Sequence, residues 1–412
     1  MSENVPNLSE INEIVADDKN FILRIVQPGL AGLMDSSVSC AVFKFRSCRT
    51  WGILKTEKAK ENVLSTSRST KLERRFVAVF LIAVCATLAR LIHEHWYLSG
   101  VGLSLFESPA NRYAPETYRV AIPALGRLVL HTFHLSNTAV VAAAMDFWFA
   151  FFALYLLYRL LDMQCAETPN RPAAVGLFLA FLCFPIMWVV PWMRIETVPT
   201  AFYLASALSL ISQSAHRAWR TWVLLALTVW QGFVRFDVPF VLGVALVFVS
   251  LTKTGEVWFG NRLLSALRGM AMAFLAVMVQ LYLQRVRYPN ARYEPKVPII
   301  KLGANLELHN LASLVLALLP VFLIAGVFLI KRPRLNAMDL LTVTASALYL
   351  PLWLTVGLAA EVRIYVPFLM AMSVVAARIC STAISPEYST PSSAEHSLIA
   401  DEVSRPERSV AS

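Results

Sequence analysis

The sequence predicts an all-α polytopic membrane protein, and three observations carry that prediction. Of 412 residues, 57% are hydrophobic and only 16% are charged, whereas soluble domains average about 25% charged residues. Mean hydropathy is +0.58. Apolar runs recur along the chain, several of them near the length of about 20 residues that a helix needs to cross the hydrocarbon. Taken together they predict about ten transmembrane helices, with broken or re-entrant helices among them and an interfacial helix in the first outer loop.

The first 75 residues set the orientation. They carry a dense basic block, Lys44, Arg46, Arg49, Lys55, Lys58, Lys60, Arg68, Lys71, Arg74 and Arg75. Such a block before the first apolar run places the N-terminus inside and suits contact with anionic lipid. It is short and holds no recognisable nucleic-acid module, so nucleic acid is not an expected partner. Residues 1–75 show no sustained period and read as a basic cytoplasmic tail, mostly disordered, in which Met34 is an alternative start. The first apolar run begins only at Phe76, so it reads as an uncleaved anchor rather than a signal peptide.

Span 1 is Phe76 to Ile92 and leads outward to His93, Glu94 and His95 at the boundary. Residues 97–135 form the first outer segment, in which Glu116 to His134 read as an amphipathic interfacial helix carrying Arg119, Arg127 and His131. Span 2, Thr138 to Leu161, returns inward. Span 3, Ala174 to Trp192, is kinked at Pro185 and reaches Arg194 and Glu196 outside. Span 4, Val198 to Ser214, ends inside.

Residues 221–251 are apolar except for a polar knot, Gln231 to Asp237. Basic residues flank both ends (His216, Arg217, Arg220; Lys253, Arg262), so both ends belong inside. The stretch must therefore rise and return as a broken hairpin, spans 5 and 6, with Gly232, Arg235, Asp237 and Pro239 at its apex. An amphipathic inner link, Lys253 to Arg268, leads to span 7, Gly269 to Gln284. Residues 285–310 lie outside, and span 8, Leu311 to Ile330, ends at the inner KRPR motif (331–334). Spans 9 and 10, Leu340 to Ala359 and Tyr365 to Ala377, are joined by the EVRIYVP turn. The tail from residue 381 is Ser- and Glu-rich and reads as disordered and cytoplasmic. Both termini are then inside, with residues 76–380 as the membrane domain.

This topology gathers the polar residues that are hardest to explain at one face. An ionic side chain at membrane depth costs about 2.5–3.5 kcal/mol on insertion scales. Arg235 and Asp237 can neutralise each other there, as a structural pair or as part of a site. Asp146, in an otherwise apolar helix roughly 14 Å from its outer end at 1.5 Å per residue, is a further candidate. Arg285, Arg287 and Arg292 form a basic surplus outside, where the orientation rule expects few basic residues. Guanidinium forks bind phosphate in two-point fashion, so a phosphate or pyrophosphate ligand would account for them. A topology shifted by one span around 253–284 is the lesser alternative. Glu361 and Arg363 sit at a tight turn, as partners of each other or as site residues. His93 and His95, at i and i+2, do not face one another on a helix, which favours polar capping over ligation. The six cysteines (Cys40, Cys48, Cys85, Cys165, Cys183, Cys380) lack metal-ligand spacing, so neither a disulfide framework nor a zinc site follows. No P-loop, GxGxxG, GxSxG or HExxH motif occurs.

Three stretches, YRVAIPALGRL (118–128), GFVRFDVP (232–239) and EVRIYVPF (361–368), carry a resemblance. With the span count and the interfacial helix, the chain resembles the C-type (GT-C-like) integral-membrane glycosyltransferases over residues 76–380. The resemblance implies a sugar donor on a polyprenyl phosphate or pyrophosphate, a glycan or lipid acceptor, and transfer with inversion on the outer face of the bacterial inner membrane. It implies an acidic residue in the first outer loop as general base or metal partner. The candidates for that role are Glu94, Glu107 and Glu116, with Asp146 beside them, and a divalent metal would be admissible. Arg119, Arg235, Asp237, Arg285, Arg287, Glu361 and Arg363 are then the candidates for binding substrate and phosphate. The paired acidic motif frequent in that superfamily is absent here. The alternatives are a transporter or flippase for an anionic or lipid-linked substrate, and a non-catalytic envelope-assembly protein. Membrane lipids are partners on every reading.

Overall fold

In the computed structural model of the chain, residues 55–94, 118–165, 171–189, 196–213, 218–252, 262–291, 302–331, 335–356 and 364–384 are described. Every regular element among them is a helix, and no strand occurs among the described residues. In chain order they are α1 (Lys55–Ile92), α2 (Ala121–Thr132), α3 (Thr138–Cys165), α4 (Arg171–Val189), α5 (Thr197–Ser212) and α6 (Ala218–Val234). There follow α7 (Asp237–Leu251), α8 (Arg262–Tyr282), a short α9 (Leu302–Asn305), α10 (Leu308–Lys331), α11 (Ala337–Val356) and α12 (Val366–Ile384). The chain divides into two compact units, Met1–Ser69 and Thr70–Ser412. Of the first, only residues 55–69, the start of α1, are described.

Four stretches are long and apolar enough to cross a bilayer: Glu73–Ile92, Thr138–Cys165, Arg262–Arg287 and Ala337–Thr355. Shorter apolar helices, among them Thr197–Ser212, Asp237–Leu251 and Val366–Ser381, pack with them. In the second unit, α5 and α12 form the interior: Tyr203, Leu204, Leu208, Tyr365, Phe368 and Val374 are all buried. Large apolar side chains face outward instead on α1, α6, α8 and α10, among them Phe76, Trp222, Phe274 and Leu329. Water would not tolerate so much continuous apolar surface, whereas lipid tails cover it without penalty. This is a membrane protein.

Two polar layers bound the apolar interior. At one end, Arg171 Nη2 lies 2.7 Å from Asp162 Oδ1 and 3.2 Å from Glu73 Oε1, and Arg74 approaches Asp162 at 3.5 Å. The C-terminus of α5 belongs to that end, because Gln213 reaches Met163 and its carbonyl accepts from Arg220. The second layer surrounds Glu196, at the start of α5. The sixteen residues of α5 separate Glu196 from Gln213, a rise of roughly 25 Å at 1.5 Å per residue, close to the bilayer hydrocarbon thickness of about 30 Å.

Four boundaries differ from the sequence reading. Helix α1 begins at Lys55, well inside the tail read as disordered, because Lys, Glu, Ala and Leu in that stretch are good helix formers. The interfacial helix begins only at Ala121, so Arg119 precedes it. The link expected over Lys253–Arg268 is already helix from Arg262, and Arg268 is a buried residue of α8. That helix ends in a π-turn, Leu283–Arg287.

Candidate functional site

The polar knot builds the site because the helix stops there. Arg235 N still donates to Gln231 O at 2.6 Å, and Phe240 N already donates to Phe236 O at 3.1 Å, so α6 and α7 are separated by Arg235 and Phe236 alone. A break strands carbonyls that the next turn would have used. One of them, Phe233 O, accepts from Val120 N at 3.0 Å. The chain entering α2 is thereby fastened to the break, which brings Arg119 beside it.

Helices α5 and α6 run antiparallel, and their facing polar residues form a ladder. Tyr203 pairs with Thr228 at 3.1 Å between hydroxyls, and one turn on, Gln231 Nε2 donates to Thr200 Oγ1 at 3.0 Å. The next rung holds the charges: Glu196, at the start of α5, lies close enough to Arg235 to act on it electrostatically. Helix α5 opens without a side-chain cap; Pro199 occupies its first turn, where no backbone N–H is needed, and Thr200 donates to Glu196 O through both its amide (3.1 Å) and its hydroxyl (2.6 Å).

Arg235 grips Asp237 in two-point fashion, Nη2 to Oδ2 at 2.5 Å and Nε to Oδ1 at 3.3 Å. Tyr349, from α11, closes the group: its hydroxyl donates to Asp237 Oδ2 at 2.7 Å and accepts from Arg235 Nη2. Its ring packs on those of Phe368 and Tyr365, with centroids at 4.4 and 6.2 Å. Arg119 pairs with Glu196 through Nη1, and it also acts electrostatically on Asp237 and Tyr349. Two arginines, two carboxylates and a phenol, contributed by four parts of the chain, therefore share one cluster. Its inner members are enclosed, with side chains 7% exposed at Arg235 and 8% at Glu196. Arg119, at 26%, and Asp237, at 21%, form an accessible rim.

Of the residues singled out from sequence, Arg119, Arg235 and Asp237 meet in this cluster. Asp146 is buried on α3, one turn before Phe149, whose ring packs on Phe202 and Trp230 of the two ladder helices. Arg285 and Arg287 are exposed on the π-turn, and no carboxylate pairs with either among the described residues. Leu283 of that turn packs with Tyr118, the neighbour of Arg119. Glu94 is not part of the group; it pairs with Arg90 at 2.6 Å on the exposed end of α1. Glu107, Glu116, Glu361 and Arg363 lie outside the described residues. Among the described residues no group of three or more His, Cys, Asp or Glu side chains is placed to hold a metal ion.

Sequence reasoning missed Tyr349, Thr200 and the role of Glu196. Tyr349 stands in an apolar span where a tyrosine reads as an interfacial aromatic, and no local signal separates it from its neighbours. No family model matches the chain, and no curated protein or solved structure matches it either.

Proposed function

We propose that the chain is a membrane glycosyltransferase that moves a sugar from a polyprenyl-phosphate or pyrophosphate donor to an envelope glycan or glycolipid. The observation that carries this reading is the convergence of Arg119, Glu196, Arg235, Asp237 and Tyr349 in one cluster at the end of α5 opposite Gln213, with Arg119 and Asp237 accessible. In this reading the chain crosses the inner membrane about ten times. Both termini are cytoplasmic, the α6–α7 break is the apex of a hairpin, and the cluster faces outward.

The chemistry fits the groups present. Asp237 Oδ2 is occupied by Arg235 and Tyr349, while Oδ1 has a single long contact and keeps a lone pair for an acceptor hydroxyl. As that oxygen attacks the anomeric carbon, its proton passes to the carboxylate. The bond from that carbon to the phosphate oxygen breaks, and the released phosphate carries the new negative charge. Arg119 spends only Nη1 on Glu196, so its remaining N–H groups can take that charge. Arg285 and Arg287, without carboxylate partners among the described residues, supply the positive surplus that the self-compensated cluster lacks. Glu107 and Glu116 are the competing bases.

A second reading rests on that same compensation. Two arginines balanced by two carboxylates suit a transporter latch or a non-catalytic assembly protein as well as an enzyme. Purified protein in lipid nanodiscs, given labelled polyprenyl-phosphate sugars and an acceptor glycolipid, separates them. A transferase consumes donor, and Asp237→Asn, Glu107→Gln or Glu116→Gln abolishes turnover according to which residue is the base. Unchanged donor with folded protein rules out the enzyme.

A further inference from the structure

The polar ladder between α5 and α6 contains an acceptor, Gln231 Oε1, that no described residue uses. Gln231 is completely buried, and its amide orientation is fixed by what surrounds it. Nε2 faces Thr200 Oγ1 at 3.0 Å and the carbonyl of Arg235 at 3.5 Å. The Thr200 hydroxyl already donates to Glu196 O, so toward Gln231 it can only accept. A carbonyl never donates. Both neighbours therefore require the NH2 group, and turning the amide over would set oxygen against oxygen. Oε1 is left pointing elsewhere, and no described residue donates to it. An unmet buried acceptor costs about 1–3 kcal/mol, so its persistence one turn from Arg235 calls for a donor that the described residues do not supply.

We propose that Gln231 Oε1 is a hydroxyl-reading contact of the site, accepting from a sugar hydroxyl of the ligand whose phosphate is held by the arginines. This rests on the function proposed above and adds to it the part of the substrate that is read. One helical turn, about 5.4 Å, separates Gln231 from Arg235, which is the scale between a phosphate and the hydroxyls of the sugar it carries. The partner must present an O–H or N–H, and the hydroxyls are the donors a hexose offers; a carboxylate or phosphate oxygen would repel Oε1. Thr200 acts as a positioning residue, because it locks the amide.

The test is a binding titration of full-length protein in nanodiscs with two probes, polyprenyl phosphate and polyprenyl-phosphate hexose. The proposal expects tighter binding of the sugar-bearing lipid. Gln231→Met, similar in size but without the acceptor, should weaken that lipid about tenfold, the loss of roughly one hydrogen bond at 1.4 kcal/mol per decade, and leave the bare lipid unchanged. If Gln231→Met does not fold, Thr200→Val should lower the preference about threefold by releasing the amide. Equal weakening of both lipids, or no change in either, overturns the proposal and assigns Oε1 to packing or a buried water. If wild-type protein binds the bare lipid but shows no preference for the sugar, the hydroxyl contact alone fails. If it binds neither lipid, the transferase reading fails with it.

Discussion

Removing Arg235 tests whether the cluster is held together by charge. Arg235→Gln deletes both bonds to Asp237 and the one to Tyr349, leaving the carboxylate with the phenol as its remaining cluster contact. Each lost charge-assisted bond is worth about 1.5–3 kcal/mol, but these losses are not additive, and breaking a buried pair typically costs about 3–5 kcal/mol in total. Asp237 keeps 21% of its side chain exposed and so regains some solvation, which places the expected loss at the low end, about 3 kcal/mol. The double variant Arg235→Met/Asp237→Leu leaves no stranded charge and should recover to within about 1 kcal/mol of wild type. Reversible unfolding in mixed micelles, titrated with SDS and followed by tryptophan fluorescence, measures both. A single variant within about 0.5 kcal/mol of wild type, or a double variant less stable than the single, would refute the reasoning.

Four further outcomes follow from particular positions. Gly243 and Gly269 let α7 and α8 touch: a Cβ on Gly243 would stand 2.6 Å from Gly269 O and 2.8 Å from Ala273 N. Backbone cannot yield there, so Gly243→Ala should destabilise by about 1–3 kcal/mol in the same assay. Gly326→Ala, with nothing within 4 Å of its Cβ, should be neutral or stabilising by up to about 1 kcal/mol. Glu94→Gln should change stability by less than about 0.5 kcal/mol, because its i,i+4 pair with Arg90 is exposed. Cysteines introduced at Arg285 and Gln213 should label from opposite sides of sealed vesicles, since the proposed topology sets them at opposite polar layers; labelling from one side would overturn that topology.

The break after Val234 was legible because charge, glycine and proline coincide within an apolar stretch, and insertion cost makes such a coincidence expensive without a purpose. Arg119 was legible as a cation in the first outer loop, though not its bond to Glu196, because a partner 77 residues away leaves no trace in local pattern. The polar layer of Glu73, Asp162 and Arg171 was hidden for the same reason. Helix α1 was drawn too short because apolarity marks where a helix enters lipid, not where it starts. Tyr349 was unreadable because its place in the cluster depends on α7 and α12 packing around it.

The central claim is that this ionic cluster receives an anionic lipid headgroup, and its most direct measurement is the affinity of polyprenyl phosphate for the protein in nanodiscs of neutral lipid. Wild-type protein should bind saturably, Arg119→Gln should weaken binding by about tenfold, and Arg285→Gln/Arg287→Gln should weaken it further and flatten its salt dependence. Binding that is absent, or that is indifferent to all three arginines, would contradict the account.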